Sequence, residues 1–210
     1  MARTSLTADL ISDATAEPTW EIAHLFPAQG MWSEEEYLAL ETNHLIEFSD
    51  GRLEFLPMPT YWHQRLVRFL FLMLDGFVVK HSLGEATFAP VKVRVGPGKV
   101  REPDVVFVVD RHLDRYVTTQ YLLGADLVME VVSPDDPDRD RVTKRQEYAQ
   151  ARIPEYWIVD PDTQRITVLT LSGESYTVHG DFVPGEQATS RLLDGFAVDV
   201  TEAFQSAERQ

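Results

Sequence analysis

The chain contains no cysteine. That excludes disulfides and zinc–thiolate centres, and it is the usage expected in a reducing cytoplasm. No apolar run approaches the ~20 residues that a membrane-spanning helix needs, so no membrane association is expected. The opening twenty residues carry Asp9, Asp13 and Glu17 without a continuous apolar core, so no secretory signal is expected either. Basic charge is scarce: 19 Lys and Arg face 34 Asp and Glu, for a formal net charge of −15. A nucleic-acid binder ordinarily shows a basic footprint, and the overall balance shows none. The deficit is uneven, however. Residues 62–152 hold 14 Lys and Arg against 13 Asp and Glu, whereas the remainder holds 5 against 21. Screening over roughly 8 Å at physiological salt weakens repulsion from the distant acids. Surface acid of this kind also serves solubility alone.

What is present suits one globular domain. The 210 residues are 44% hydrophobic and 25% charged, enough for a stable core. Residues 1–20 read as a loose polar tail and 21–210 as the domain. Ser33-Glu34-Glu35-Glu36 carries the capping-box pattern of a helix start, with the helix expected to about Glu41. His44–Phe48 and Arg52–Leu56 read as strands around Asp50-Gly51, a strong hairpin signal. Leu66, Phe69, Leu70, Met73, Leu74 and Phe77 recur at helical spacing and predict a long helix over Tyr61–His81. Alternation through Phe88, Val91, Val93 and Val95 predicts one strand over 86–95. Gly96-Pro97-Gly98-Lys99 reads as a turn.

Apolar strands are expected from Asp104 to Val109, over Leu127–Val132 and over Tyr156–Asp160. Their near-continuous apolar character implies a sheet covered on both faces. A helix over about 137–152 would join the last two as a βαβ crossover. A hairpin over 165–171 and 175–179, a strand near 196–200 and a short terminal helix complete the reading. Hairpins at either end make the expected sheet a mixed one.

Two acids stand out in this frame. Asp104 opens Pro103-Asp104-Val105-Val106-Phe107-Val108-Val109, and Glu130 lies inside Leu127-Val128-Met129-Glu130-Val131-Val132. A carboxylate in such surroundings is costly to desolvate unless a cation or hydrogen bonds compensate it. Lys144 follows on the next helix. Oxygen donors without cysteine suit Mg²⁺ or Mn²⁺. Such an ion stabilises charge on a phosphate oxygen and lowers the pKa of a bound water, while Lys144 orients that water or neutralises the transition state. Each residue also has a plainer reading. Asp104 can cap a turn, Glu130 can belong to a structural ion pair, and Lys144 can form a surface i,i+4 pair with Asp140.

Taken in order, Pro103-Asp104, Glu130-Val131-Val132-Ser133-Pro134, Lys144-x-x-x-Tyr148 and Glu155-Tyr156-Trp157-Ile158-Val159-Asp160 resemble the PD-(D/E)XK nuclease superfamily. Within it they resemble the Uma2 family of restriction-endonuclease-like proteins, over roughly residues 33–204. The resemblance implies an α/β restriction-endonuclease-like fold, with a mixed central sheet flanked by helices on both faces. It implies Mg²⁺-dependent hydrolysis of DNA phosphodiester bonds. Asp104 and Glu130 would hold the metal beside the Val131 carbonyl, and Glu47 would be the additional N-terminal acid. One departure matters: Val132 stands where the parent motif has its lysine. The resemblance implies that Lys144 takes over from the following helix.

His63, at the start of the long helix, is either a surface residue or faces the cleft. Tyr148 and Trp157 are expected in the core or the cleft wall. Arg65, Arg68, Arg139, Arg141 and Arg145 are candidate phosphate contacts. A homodimer would provide the two sites needed to cut both strands. Two other readings stay open: a binding protein that keeps the fold without catalysis, and a metal-dependent hydrolase of RNA or a small phosphoester.

Overall fold

A computed structural model describes residues 26–42 and 44–208; the expected tail over 1–20 lies outside the described residues. The first helix, α1 (Glu34–Leu38), carries the expected capping box: Ser33 accepts from the Glu36 N–H, and Glu36 accepts from the Ser33 N–H at 2.8 Å. It ends three residues before the expected Glu41. Strands β1 (Ile46–Ser49) and β2 (Arg52–Phe55) pair antiparallel across Asp50-Gly51. Both turn residues have positive φ, 48° and 81°, as a two-residue hairpin requires. A Cβ on Gly51 would lie 2.7 Å from the Gly30 carbonyl oxygen, so the close approach also needs glycine.

Helix α2 (Tyr61–His81) has the expected bounds. Thr60 caps it by accepting from the His63 N–H, and Ser82 ends it in the left-handed region at φ 52°. Its buried stripe is Leu66, Val67, Leu70, Leu74 and Val78. The single strand expected over 86–95 is two strands, β3 (Gly84–Phe88) and β4 (Val93–Gly96), and they belong to different sheets. Pro90 lies between them and has no N–H to give a ladder, so the alternation carries on while the pairing stops. After the expected turn come β5 (Lys99–Arg101), β6 (Val105–Val109) and α3 (Asp110–Tyr116).

The site-bearing elements follow. β7 (Leu127–Val131) leads to a π-helical segment (Arg139–Lys144) that runs into α4 (Arg145–Gln150). This replaces the uniform helix expected over 137–152. Next are β8 (Glu155–Asp160), the hairpin β9 (Arg165–Ser172) and β10 (Ser175–Phe182), the short strands β11 (Gln187–Thr189) and β12 (Ala197–Asp199), and α5 (Val200–Ala207).

Six strands form the central sheet in the order β10-β9-β8-β7-β6-β3. Only β7 and β8 pair parallel, joined by the expected crossover; the other pairs are antiparallel. The sheet is therefore mixed, and helices cover both its faces. The N-terminal hairpin is not one of its edges. It joins β5 and β4 in a separate four-stranded sheet, β2-β1-β5-β4. Residues of β6 and β7 alternate between two cores. Val105, Phe107, Leu127 and Met129 face α2 and α5, whereas Val106, Val108 and Val128 face α4. That parity sends Glu130 toward α4, and Asp104 with it.

Candidate active site

The antiparallel pairing of β6 with β7 sets Val105 opposite Met129. One residue further along that register, Asp104 stands opposite Glu130, on the same face of the sheet. The backbone locks the arrangement: the Val131 N–H donates to Asp104 Oδ2 at 2.7 Å. The site thus lies at the carboxyl end of β7, beside the one parallel strand pair, where α/β sheets open a crevice.

Lys144 arrives from the π-helical segment. This wider turn places Asp140 and Lys144 together over the sheet. The ammonium is only 6% exposed and touches three carboxylates: Glu130 Oε1 at 2.9 Å, Asp140 Oδ1 at 3.2 Å and Glu47 Oε1 at 3.5 Å. Tyr148, one turn further, donates its hydroxyl to the same Glu130 Oε1 at 2.5 Å. Burial alone would push the lysine pKa down. Glu130, Glu47 and Asp140 outweigh that and hold it well above its usual value, so Lys144 is a fixed cation. Burial pushes Glu130 up, to about 8; Lys144 opposes the rise, while Asp140, Asp104 and Glu47 reinforce it. Burial likewise raises Asp140. More carboxyl groups crowd this ammonium than it can pair with, which is why the Glu130 and Asp140 pKa values rise.

Glu47 has a different surround. Its Oε2 accepts from Arg139 Nη2 at 2.5 Å and lies 3.6 Å from Arg101, and its Oε1 accepts from the Glu102 N–H at 3.0 Å. Desolvation pushes it up, but Lys144, Arg101, Arg139 and that N–H together hold it down at about 2. Arg101, fully buried, is clamped by Glu147 through two bonds of 2.7 Å. Glu47 is therefore part of a saturated ion network that borders the site and steadies Lys144.

His63 reaches the site from the first turn of α2. Its Nε2 lies 3.3 Å from both Asp104 Oδ2 and the Val131 carbonyl oxygen. Burial lowers its pKa, but the bond to Asp104 and the nearby charges raise it on balance. Both neighbours of Nε2 are oxygens that only accept, so Nε2 bonds to them as a donor. Of the candidate phosphate-binding arginines, three are tied into the protein. Arg139 pairs with Glu47 and Glu54, Arg141 with Asp160, and Arg145 donates to the Tyr176 carbonyl at 3.4 Å. Arg65 and Arg68 form no ion pair among the described residues.

Sequence reasoning brought Asp104, Glu130, Lys144, Val131 and Glu47 forward, and all five lie together. It missed Arg101 and Glu147, which form one of the most buried ion pairs at the edge of the site. A basic residue in a strand as short as Lys99-Val100-Arg101 gives no pattern to find.

The donors suit a hard divalent cation of one kind. Among the described residues no three His, Cys, Asp or Glu side chains converge as an enclosing metal cage. Mg²⁺ commonly needs only one or two carboxylates, completed by waters and substrate phosphate. Asp104 gives Oδ2, and Glu130 gives Oε1, to hydrogen bonds within the protein. The second oxygen of each carboxylate accepts none among the described residues. Two hard oxygens on adjoining strands, beside the Val131 carbonyl and among more carboxyl groups than Lys144 can pair with, fit such an ion.

A mixed sheet with helices on both faces, carrying opposed strand acids and a buried lysine, defines an α/β protein of the restriction-endonuclease-like kind. The chain belongs to the Uma2 family: the family model, described as "Putative restriction endonuclease", matches residues 34–201. A crystal structure of a "putative nuclease belonging to DUF820" from Anabaena variabilis shares the fold, with a TM-score of 0.71 at 18% identity. The similarity covers 87% of this chain and 100% of that one. No curated protein matches the chain. Among the described residues, no helix is long and apolar enough to cross a membrane.

Proposed function

We propose that this chain is a nuclease that hydrolyses DNA phosphodiester bonds with Mg²⁺, or with Mn²⁺ in its place. One observation carries the reading. Asp104 and Glu130 oppose each other on adjoining strands, each with one oxygen free of protein donors, and Lys144 stands 2.9 Å from Glu130. Asp104, Glu130 and the Val131 carbonyl would hold the metal. When bound, the metal would supply Lewis-acid stabilisation of phosphate charge and a water of lowered pKa.

The protein's own groups do the rest. Lys144 is held protonated, so it neutralises charge on a phosphate oxygen or orients a water, and it does not act as a base. Asp140 and Glu47 fix the ammonium, and Glu47 acts through Lys144. Tyr148 and Lys144 both bind Glu130 Oε1, which turns Oε2 toward the crevice. His63 holds a proton at Nε2 and orients Asp104. Cutting both strands of a duplex takes two such sites, which a homodimer would supply.

The test is cleavage at low salt of duplex DNA, single-stranded DNA, RNA and a small aryl phosphodiester, with and without Mg²⁺. Asp104→Asn and Glu130→Gln should abolish the metal-dependent activity of the unmodified protein. Preference for RNA or the aryl ester would redirect the substrate and leave the chemistry standing. A second reading, a binding protein without catalysis, is favoured by His63, which already donates to Asp104 Oδ2 or to the Val131 carbonyl. Absence of calorimetric Mg²⁺ or Mn²⁺ binding at millimolar concentration would support it.

A further inference from the structure

The site's neighbour on α2 carries chemistry that the cleavage reading leaves unused. Tyr61 and Trp62 open the helix and remain 68% and 38% exposed. Their rings meet edge to face at 4.9 Å. The Arg65 guanidinium lies 6.0 Å from the Tyr61 centroid and 5.7 Å from the Trp62 centroid. Arg68 follows one turn on. Tyr61, Gln64, Arg65 and Arg68 line a hollow of about 430 Å³. Spacings of four and three place Tyr61, Arg65 and Arg68 along one helix face.

Charge on this ledge runs against the acidic balance of the whole chain. In a chain of net charge −15, no acid occurs between Glu54 and Asp75. Arg65 has one long bond, 3.4 Å to the Glu208 carbonyl, and neither arginine forms an ion pair among the described residues. Two guanidinium groups without an ion-pair partner among the described residues, beside exposed rings, complement an anionic polymer with stackable faces. That combination characterises surfaces for single-stranded nucleic acid. Position agrees: Trp62 precedes His63, whose Nε2 is 3.3 Å from Asp104.

We propose that Tyr61, Trp62, Arg65 and Arg68 form a binding ledge for unpaired nucleotides of the substrate strand next to the cleavage point. The rings stack on bases, and the guanidinium groups contact phosphates without reading sequence. The proposal rests on the nuclease reading for its substrate, and binding without metal is measured separately from cleavage.

Fluorescence anisotropy in EDTA, with a labelled 20-nucleotide oligothymidylate and a 20-base-pair duplex, tests it. The unmodified protein should bind the single strand more tightly. Tyr61→Ala/Trp62→Ala should weaken single-strand binding about tenfold or more and affect the duplex less. Arg65→Gln/Arg68→Gln retains the rings and should lower the slope of log affinity against log salt by about one to two. It remains informative if the aromatic double variant fails to fold. Asp104→Asn should bind the oligonucleotide like the unmodified protein while losing cleavage, which separates the two readings. Unchanged single-strand affinity in both ledge variants would overturn the proposal. So would a change of oligomeric state without a change in oligonucleotide binding, which would make the ledge a protein interface.

Discussion

On the α2 side of the central sheet, β6, β7 and β8 contribute Val105, Phe107, Leu127, Met129, Trp157 and Val159 to an aliphatic and aromatic layer, whose one acid on these strands, Glu155, is met by Trp157, Ser190 and two backbone N–H groups. On the α4 side the same strands contribute Val106, Val108, Val128 and Ile158, and then Glu130. That acid meets Lys144, Asp140 and Tyr148. A period of two makes this division possible, since neighbouring residues on one strand serve opposite faces. The apolar face packs against α2, α5 and the segment around Phe196, and supplies stability. The other face buries more acid than it neutralises, a costly arrangement that stability alone does not call for. The price is consistent with a cation-dependent function at that face.

Substitutions can break this contrast. The largest effect should come from Asp104→Asn or Glu130→Gln, each expected to reduce Mg²⁺-dependent cleavage by about 10³-fold or more. Initial rates on a labelled duplex measure it, and urea midpoints should move far less than the rates do. On the apolar face, Phe107→Ala should cost about 3–5 kcal/mol of stability from urea denaturation, with metal affinity retained in the folded fraction. A large loss of metal affinity there would blur the two faces.

Glu47 sharpens the comparison through pH. Its folded pKa of about 2 lies below its ordinary 4.5. A depressed carboxylate contributes stability above its unfolded pKa and loses it as pH falls toward the folded value. Glu47→Gln should therefore be less stable than the unmodified protein at pH 7, by on the order of 3 kcal/mol. The gap should narrow as pH falls from about 4.5 toward 2, measured by urea titration at each pH. The smallest effect should be that of Arg141→Ala, whose partly exposed pair with Asp160 is worth about 1 kcal/mol or less.

Much of this division was legible in the sequence. The apolar runs at 105–109, 127–131 and 156–160 marked the central strands, and Glu130 stood out because no neighbour excused it. The apolar stripe from Leu66 to Phe77 marked α2. Features set by pairing or local winding were not legible. Alternation ran through Pro90, so β3 and β4 merged into one expected strand. Helix α3 has no buried residue and no apolar period to betray it. The opposition of Asp104 to Glu130 depends on the β6–β7 register, and the reach of Lys144 depends on a π-helical turn, which no spacing rule reveals. The sequence leaves His63 open between surface and cleft because its partners, Asp104 and Val131, lie 41 and 68 residues away.

The central claim is that Asp104 and Glu130 are a cation site. Anomalous diffraction from a manganese-soaked crystal tests it most directly. The account predicts one strong peak in contact with an oxygen of each carboxylate, with the Lys144 ammonium alongside. No peak there at millimolar manganese, with His63 still bonded to Asp104, would contradict it.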